Sequence, residues 1–198
     1  MLLGSRSGTA CPGNATWYLP AMDDTGSSRK PFDDESATGP HRKKSVLFVC
    51  TGNACRSQMG EALLRHVGSD QFDVASAGTH PAGFVSPLAL DALHALGIQY
   101  DSGESKNWRE FEGCTFDLVI YLCENAMQQE PPSWSGPARR VEWPLPDPTF
   151  HLGSDDDRRE FALCIAKRLA GKIGGLMAMN WNLPDETITA HLGILADF

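Results

Sequence analysis

No apolar run in the sequence approaches the roughly 18 residues that a membrane-spanning helix requires, so no membrane association is expected. There is no Cys-x-x-Cys pair, which removes a thioredoxin-type redox motif. The longest basic run is Arg42-Lys43-Lys44 and the net charge is −8, so nucleic acid is not an expected partner. Six histidines show no ligand-like spacing, and no metal site is expected. Residues 1–44 lack apolar periodicity and are rich in Gly, Ser, Thr, Pro and Asp, the composition of a disordered tail. Within that tail Met1-Leu2-Leu3 is too short for a signal segment, and Cys11 and the Trp17-Tyr18-Leu19 patch have no defined geometry. Six cysteines at irregular spacings form no disulfide framework. They fit a reducing, cytoplasmic location.

What is present begins at Ser45. The run Ser45-Val46-Leu47-Phe48-Val49-Cys50 reads as a buried strand that delivers a cysteine to a short turn, Thr51-Gly52-Asn53-Ala54-Cys55, and then through Arg56-Ser57 into an amphipathic helix. Gly52 and Asn53 are the residue types that best tolerate positive φ, which lets successive backbone N–H groups curl toward one point. The helix aims its unpaired amides and positive dipole end at the same point. Arg56 adds a planar fork that grips two oxygens of a tetrahedral oxyanion. A thiol at that focus is favoured as thiolate, a nucleophile facing whatever anion the loop holds. Thr51 to Ser57 are thus the predicted substrate-binding loop around Cys50.

Beyond the loop, Met59, Ala62, Leu63 and Val67 fall at helical spacing up to Gly68, and Phe72 to Gly78 alternates as a second strand. His80 follows on a loop within reach of the cradle. Ser86-Pro87 opens a covering helix that Gly97 stops, and a short helix is expected between Ser105 and Phe111, with Trp108 either at the substrate mouth or packed on the body. Phe116 to Cys123 is a near-continuous apolar run, hence a central parallel strand, and Arg140 to Trp143 is a fourth, outer one. Ser154-Asp155-Asp156-Asp157 caps a long helix whose stripe is Phe161, Ile165, Leu169, Ile173 and Leu176, with Cys164 expected in the core. The prediction is α/β: a single domain over residues 45–180 with a four-stranded parallel sheet and helices on both faces. Ligands of such sheets bind at the carboxyl ends of the strands, where Cys50 lies. Residues 181–198 show no readable motif and are expected as a C-terminal extension.

The segment Cys50-Thr51-Gly52-Asn53-Ala54-Cys55-Arg56-Ser57-Gln58-Met59 resembles the phosphate-binding loop of the low-molecular-weight protein tyrosine phosphatases and of the arsenate reductases that share their fold. Gln58, where the phosphatases usually carry proline, is closer to the reductase branch. The resemblance covers roughly residues 45–178 and includes Ser76-Ala77-Gly78-Thr79, Ser86-Pro87-Leu88-Ala89, Gly136-Pro137-Ala138-Arg139-Arg140 and Pro146-Asp147-Pro148. It implies that Asp147, held between two prolines, protonates the departing oxygen. It also implies that Cys123, in Val119 to Ala126, is the second cysteine of the reductases. Their third cysteine, seven positions on, is here Glu130, so the reductant expected is an external thiol: glutathione, mycothiol, or a glutaredoxin or thioredoxin, unless Cys114 or Cys55 substitutes. Cys55 could also form a protective disulfide with Cys50. Glu61 matches a position that in the arsenate reductases helps hold a structural cation; by itself it reads as a surface helix carboxylate. No tightly bound cofactor is implied. The function expected is arsenate reduction. The alternative is hydrolysis of a phosphate ester through a cysteinyl-phosphate, which Phe150 and Trp108 leave room for. A non-catalytic descendant would show damage at Cys50, Arg56 or Asp147, and none is present.

Overall fold

The computed structural model of the chain describes residues 42–100 and 103–196. The first 41 residues, including Cys11 and Trp17, lie outside the described residues, so most of the expected tail does too. The elements run β1 (Lys44–Cys50), α1 (Arg56–Gly68), β2 (Phe72–Gly78), α2 (Pro87–Ala95), β3 (Leu118–Tyr121), α3 (Glu124–Met127), β4 (Arg139–Glu142), α4 (Asp155–Met177) and α5 (Asp185–Ala196), with 3-10 turns at Trp108–Phe111 and Pro148–Phe150.

All strand pairs are parallel and the sheet order is β2-β1-β3-β4. Successive strand side chains point to opposite faces, and Val46, Leu47, Phe48 and Val49 are all fully buried, so both faces of the sheet are covered by other elements. α1 lies against β1 at close range because residue 60 is glycine: a Cβ there would sit 2.8 Å from the Phe48 ring. At the amino-terminal edge Asp117 closes the β1–β3 junction, its Oδ2 accepting from Ser45 N at 2.8 Å and its Oδ1 from Arg42 Nη2 at 2.5 Å.

Two side-chain expectations are corrected, and one left with two options is resolved. Val67 is half exposed, because α1 is enclosed from Arg56 to Leu64 and meets solvent only in its last turn. Cys164 is exposed, since Ala162, Ile165, Ala166 and Leu169 define the buried stripe of α4 and residue 164 falls outside it. Trp108 is buried and packs on the body rather than lining a mouth. The C-terminal extension also holds a helix that its sequence pattern does not announce. α5 buries only Ile188 and Leu192, yet it docks on β4 and α4. Lys172 of α4 reaches its last turn, donating to Leu195 O at 2.7 Å and Ala196 O at 2.9 Å, a cation on the negative end of the helix.

Candidate active site

β1 ends at Cys50, and the next residues fold into a loop whose carbonyls are turned outward by a second layer. Thr79 N donates to Cys50 O, His80 N to Thr51 O, Ala82 N to Gly52 O and Ser86 N to Ala54 O, at 2.8 to 3.1 Å. Gln58 Nε2 donates to Asn53 O at 3.1 Å. With these carbonyls held from outside, the amides of residues 52–57 face the other way, and none of them donates to a described residue. Asn53 supplies the reversal of the chain with φ 44. α1 then begins at Arg56, with Cys55 before it making no side-chain cap and no acidic residue in its first turn, so its positive end is left for an anion.

Second-layer side chains hold this loop. Asn53 Oδ1 accepts from Lys106 N at 2.7 Å and Gln58 Nε2 at 3.1 Å, while its Nδ2 donates to Ser57 Oγ and to Ser76 Oγ, each at 2.8 Å. Tyr100 donates to Gln58 Oε1 at 2.5 Å, and burial pushes its phenol well above the usual tyrosine range. Ser57 Oγ lies 3.0 Å from Cys50 Sγ.

Arg56 is almost entirely buried. Its Nη1 donates to Leu145 O at 3.0 Å and its Nη2 to Asp147 Oδ2 at 2.5 Å. Its Nε is buried with no partner among the described residues. Asp147 Oδ1 receives Thr149 N at 3.0 Å and Thr149 Oγ1 at 2.7 Å. The side chains predicted from the loop and from Pro146-Asp147-Pro148 thus meet at the carboxyl end of the sheet.

The other cysteines divide by position. Cys123 is brought to the loop by strand register: Leu122 N donates to Val49 O at 2.8 Å, and Cys123 Sγ lies 3.3 Å from Thr51 Oγ1. Cys55 is pushed up to about 12, first by burial and then by the nearby Asp147 and Cys50, with Arg56 opposing, so it remains a thiol at neutral pH. Cys114 precedes β3, at the end of the sheet opposite Cys50, and it is disulfide-bonded, which corrects the expectation of free thiols throughout and removes it as a substitute second thiol. His80 is exposed and reaches the loop through its backbone N–H.

Glu61 is not a surface carboxylate. It is fully buried, with Oε1 2.5 Å from Arg65 Nη2 and Oε2 2.5 Å from Ser76 Oγ. Lys106 Nζ stands 3.6 Å from that Oε2. An ammonium already stands at this carboxylate, so the residues here do not fit a resident metal cation. Lys106, Ser76 and Tyr100 were invisible as site residues in the sequence, because each acts through a partner distant along the chain.

The profile described as low molecular weight phosphotyrosine protein phosphatase matches residues 45–178. The chain belongs to this family. Its relatives include an arsenate reductase of Halalkalibacterium halodurans, 34% identical over 132 residues that cover 67% of this chain and 91% of the relative. Among family structures, an arsenate reductase in the phosphate binding state superposes with a TM-score of 0.53 at 25% identity, covering 68% of this chain and 97% of the other. A low molecular weight phosphotyrosine phosphatase from Vibrio cholerae O395 shares the fold, with a TM-score of 0.55 at 24% identity, over 68% of this chain and 94% of that one.

Proposed function

We propose that this chain reduces arsenate to arsenite with electrons supplied in the end by an external thiol. The observation that carries the reading is a second sulfur, Cys123, beside the loop that surrounds Cys50; a hydrolase of this family needs only one. The unpaired amides of residues 52–57, the start of α1 and the free Arg56 Nε offer donors to a tetrahedral oxyanion. Ser57 Oγ lies 3.0 Å from the Cys50 sulfur that would attack the bound oxyanion.

In the first step Cys50 Sγ attacks arsenic, an S–As bond forms, and an As–O bond breaks as Asp147 protonates the departing oxygen. In the second step Cys123, as thiolate, attacks Cys50 Sγ. An S–S bond forms, the S–As pair of electrons passes to arsenic, and As(V) leaves as As(III). Two thiols have become a disulfide, matching the two electrons gained by arsenic. Reduction of that disulfide falls to glutathione, mycothiol, or a glutaredoxin or thioredoxin, because Glu130 stands where a third cysteine would continue the relay.

The second reading, phosphate-ester hydrolysis, has one observation in its favour: Phe150, 83% exposed, lies three residues after Asp147, where it could meet an aryl group. One turnover with arsenate, followed by acid quench and mass spectrometry, separates the two. Arsenite equal to enzyme and a Cys50–Cys123 disulfide are expected, and Cys123→Ser should keep Cys50 reactive while giving no arsenite without added thiol. Brisk aryl phosphate turnover with no arsenite would overturn the assignment.

A further inference from the structure

We propose that Lys106 and Glu61 are positioning residues: a built-in cation and its carboxylate that fix the direction of a hydrogen-bond relay ending on the Cys50 sulfur. The inference rests on Cys50 being the nucleophile.

The direction follows from counting hydrogens. Ser76 has one hydroxyl hydrogen, and its 2.5 Å contact with the salt-bridged Glu61 Oε2 commits it there. Ser76 can therefore only accept from Asn53. The amide orientation of Asn53 is set independently, since Oδ1 already accepts from Lys106 N and Gln58 Nε2, which leaves both Nδ2 hydrogens for Ser76 and Ser57. Ser57 Oγ thus accepts from Asn53, and its own hydrogen is free to point at Cys50 Sγ, 3.0 Å away. Every link donates in the sense that supports a negative sulfur.

The anchor of this relay is a fully buried carboxylate, which needs compensating charge. Arg65 provides some from the partly exposed side of α1. Lys106 is itself 3% exposed and faces the oxygen that Ser76 uses, so its charge acts where the relay starts. Its backbone serves the same loop, with N donating to Asn53 Oδ1 and O accepting from Gly78 N at 2.8 Å. A side-chain substitution leaves those backbone bonds in place. The charged groups around the sulfur end are Arg56 and Asp147, with the thiols Cys55 and Cys123. None of them touches the Glu61 end.

The test is the pH dependence of Cys50 alkylation by iodoacetamide, read by peptide mass spectrometry beside a thermal melt. In Lys106→Met the midpoint of the alkylation curve should rise by about one pH unit, and the rate at pH 7 should fall several-fold. Lys106→Arg should return the midpoint to within a few tenths of a unit. Ser76→Ala cuts the relay with little change in volume and should shift the midpoint in the same direction, which keeps the test open if Lys106→Met fails to fold. Replacing potassium by tetramethylammonium should leave the wild-type curve unchanged. A lowered melting temperature with an unmoved midpoint would reduce the pair to a structural role, and a potassium-dependent wild-type midpoint would overturn the built-in cation. Slow alkylation of wild-type Cys50 at neutral pH would instead sink the assignment of the nucleophile.

Discussion

Asp147→Asn tests the chemistry at the point where geometry commits it most. The carboxylate holds four contacts in place: Arg56 Nη2 on Oδ2, Thr149 N and Oγ1 on Oδ1, and through Arg56 the Leu145 carbonyl. Asparagine has the same shape and keeps one oxygen to accept from Arg56, while the Thr149 hydroxyl can rotate to accept from the new amide. The loop should therefore persist, with a stability loss of about 2–3 kcal/mol, since the largely buried Arg56 guanidinium keeps a hydrogen bond but loses its counter-charge. What asparagine cannot do is deliver a proton. A positioned general acid is worth about 10²- to 10⁴-fold, equivalent to about 3–5 kcal/mol in the barrier. Rapid-quench measurement of the Cys50–arsenic adduct in the first turnover should show that loss, while iodoacetamide alkylates Cys50 as in the wild type. Adduct formation within about threefold of wild type, with the loop intact by the alkylation control, would refute the proton-donor role.

At pH 7.5 iodoacetamide should modify Cys50 at least about 100-fold faster than Cys55, which burial holds as a thiol; equal labelling in a peptide map would contradict that environment. Gly78→Ala would place a Cβ 2.7 Å from Thr51 O and 2.9 Å from Asn53 N, both backbone atoms. The loop must shift, with about 1–3 kcal/mol lost in thermal unfolding and more than tenfold lost in adduct formation. For Asp117, burial alone would raise its carboxyl, but hydrogen bonds from Arg42 and Ser45 outweigh it and hold it below the ordinary carboxylate range. A depressed carboxyl stabilises the fold above its unfolded value and loses that contribution as pH falls through the folded one. Asp117→Asn should cost about 1–2 kcal/mol at pH 7 and almost nothing near pH 2 in denaturant titrations.

Much of this was legible along the chain because the controlling signals are local. A seven-residue apolar strand, a Gly-Asn turn and a helix opening on Arg56 are contiguous, so their meeting at one point follows from strand–turn–helix geometry alone. The α2 cap at Ser86 and the α4 cap at Ser154 were equally readable, and both side chains make the expected bonds. The 3-10 turn at Trp108 and the outer position of β4 also came out as expected. What stayed hidden depends on contacts between distant segments. Glu61 looks like any helix carboxylate until β2 brings Ser76 and the segment after Tyr100 brings Lys106 against it. α5 escaped because two buried residues one turn apart make too thin a stripe; its place is held by Lys172 and by an ion pair between Arg139 and Asp185.

The outward-facing carbonyls of the Cys50 loop have a consequence for selectivity. A ring of amides fixed from behind before any anion arrives cannot adjust to small differences in bond length, so it should receive inorganic phosphate nearly as readily as its arsenic counterpart. In a cell where the former is far more abundant, discrimination by fit would fail. It must arise afterwards, because pentavalent phosphorus does not take two electrons from a thiol pair and can only depart again, whereas pentavalent arsenic can go forward. Such an enzyme would be idling on the common anion most of the time and would owe its preference to what sulfur can reduce.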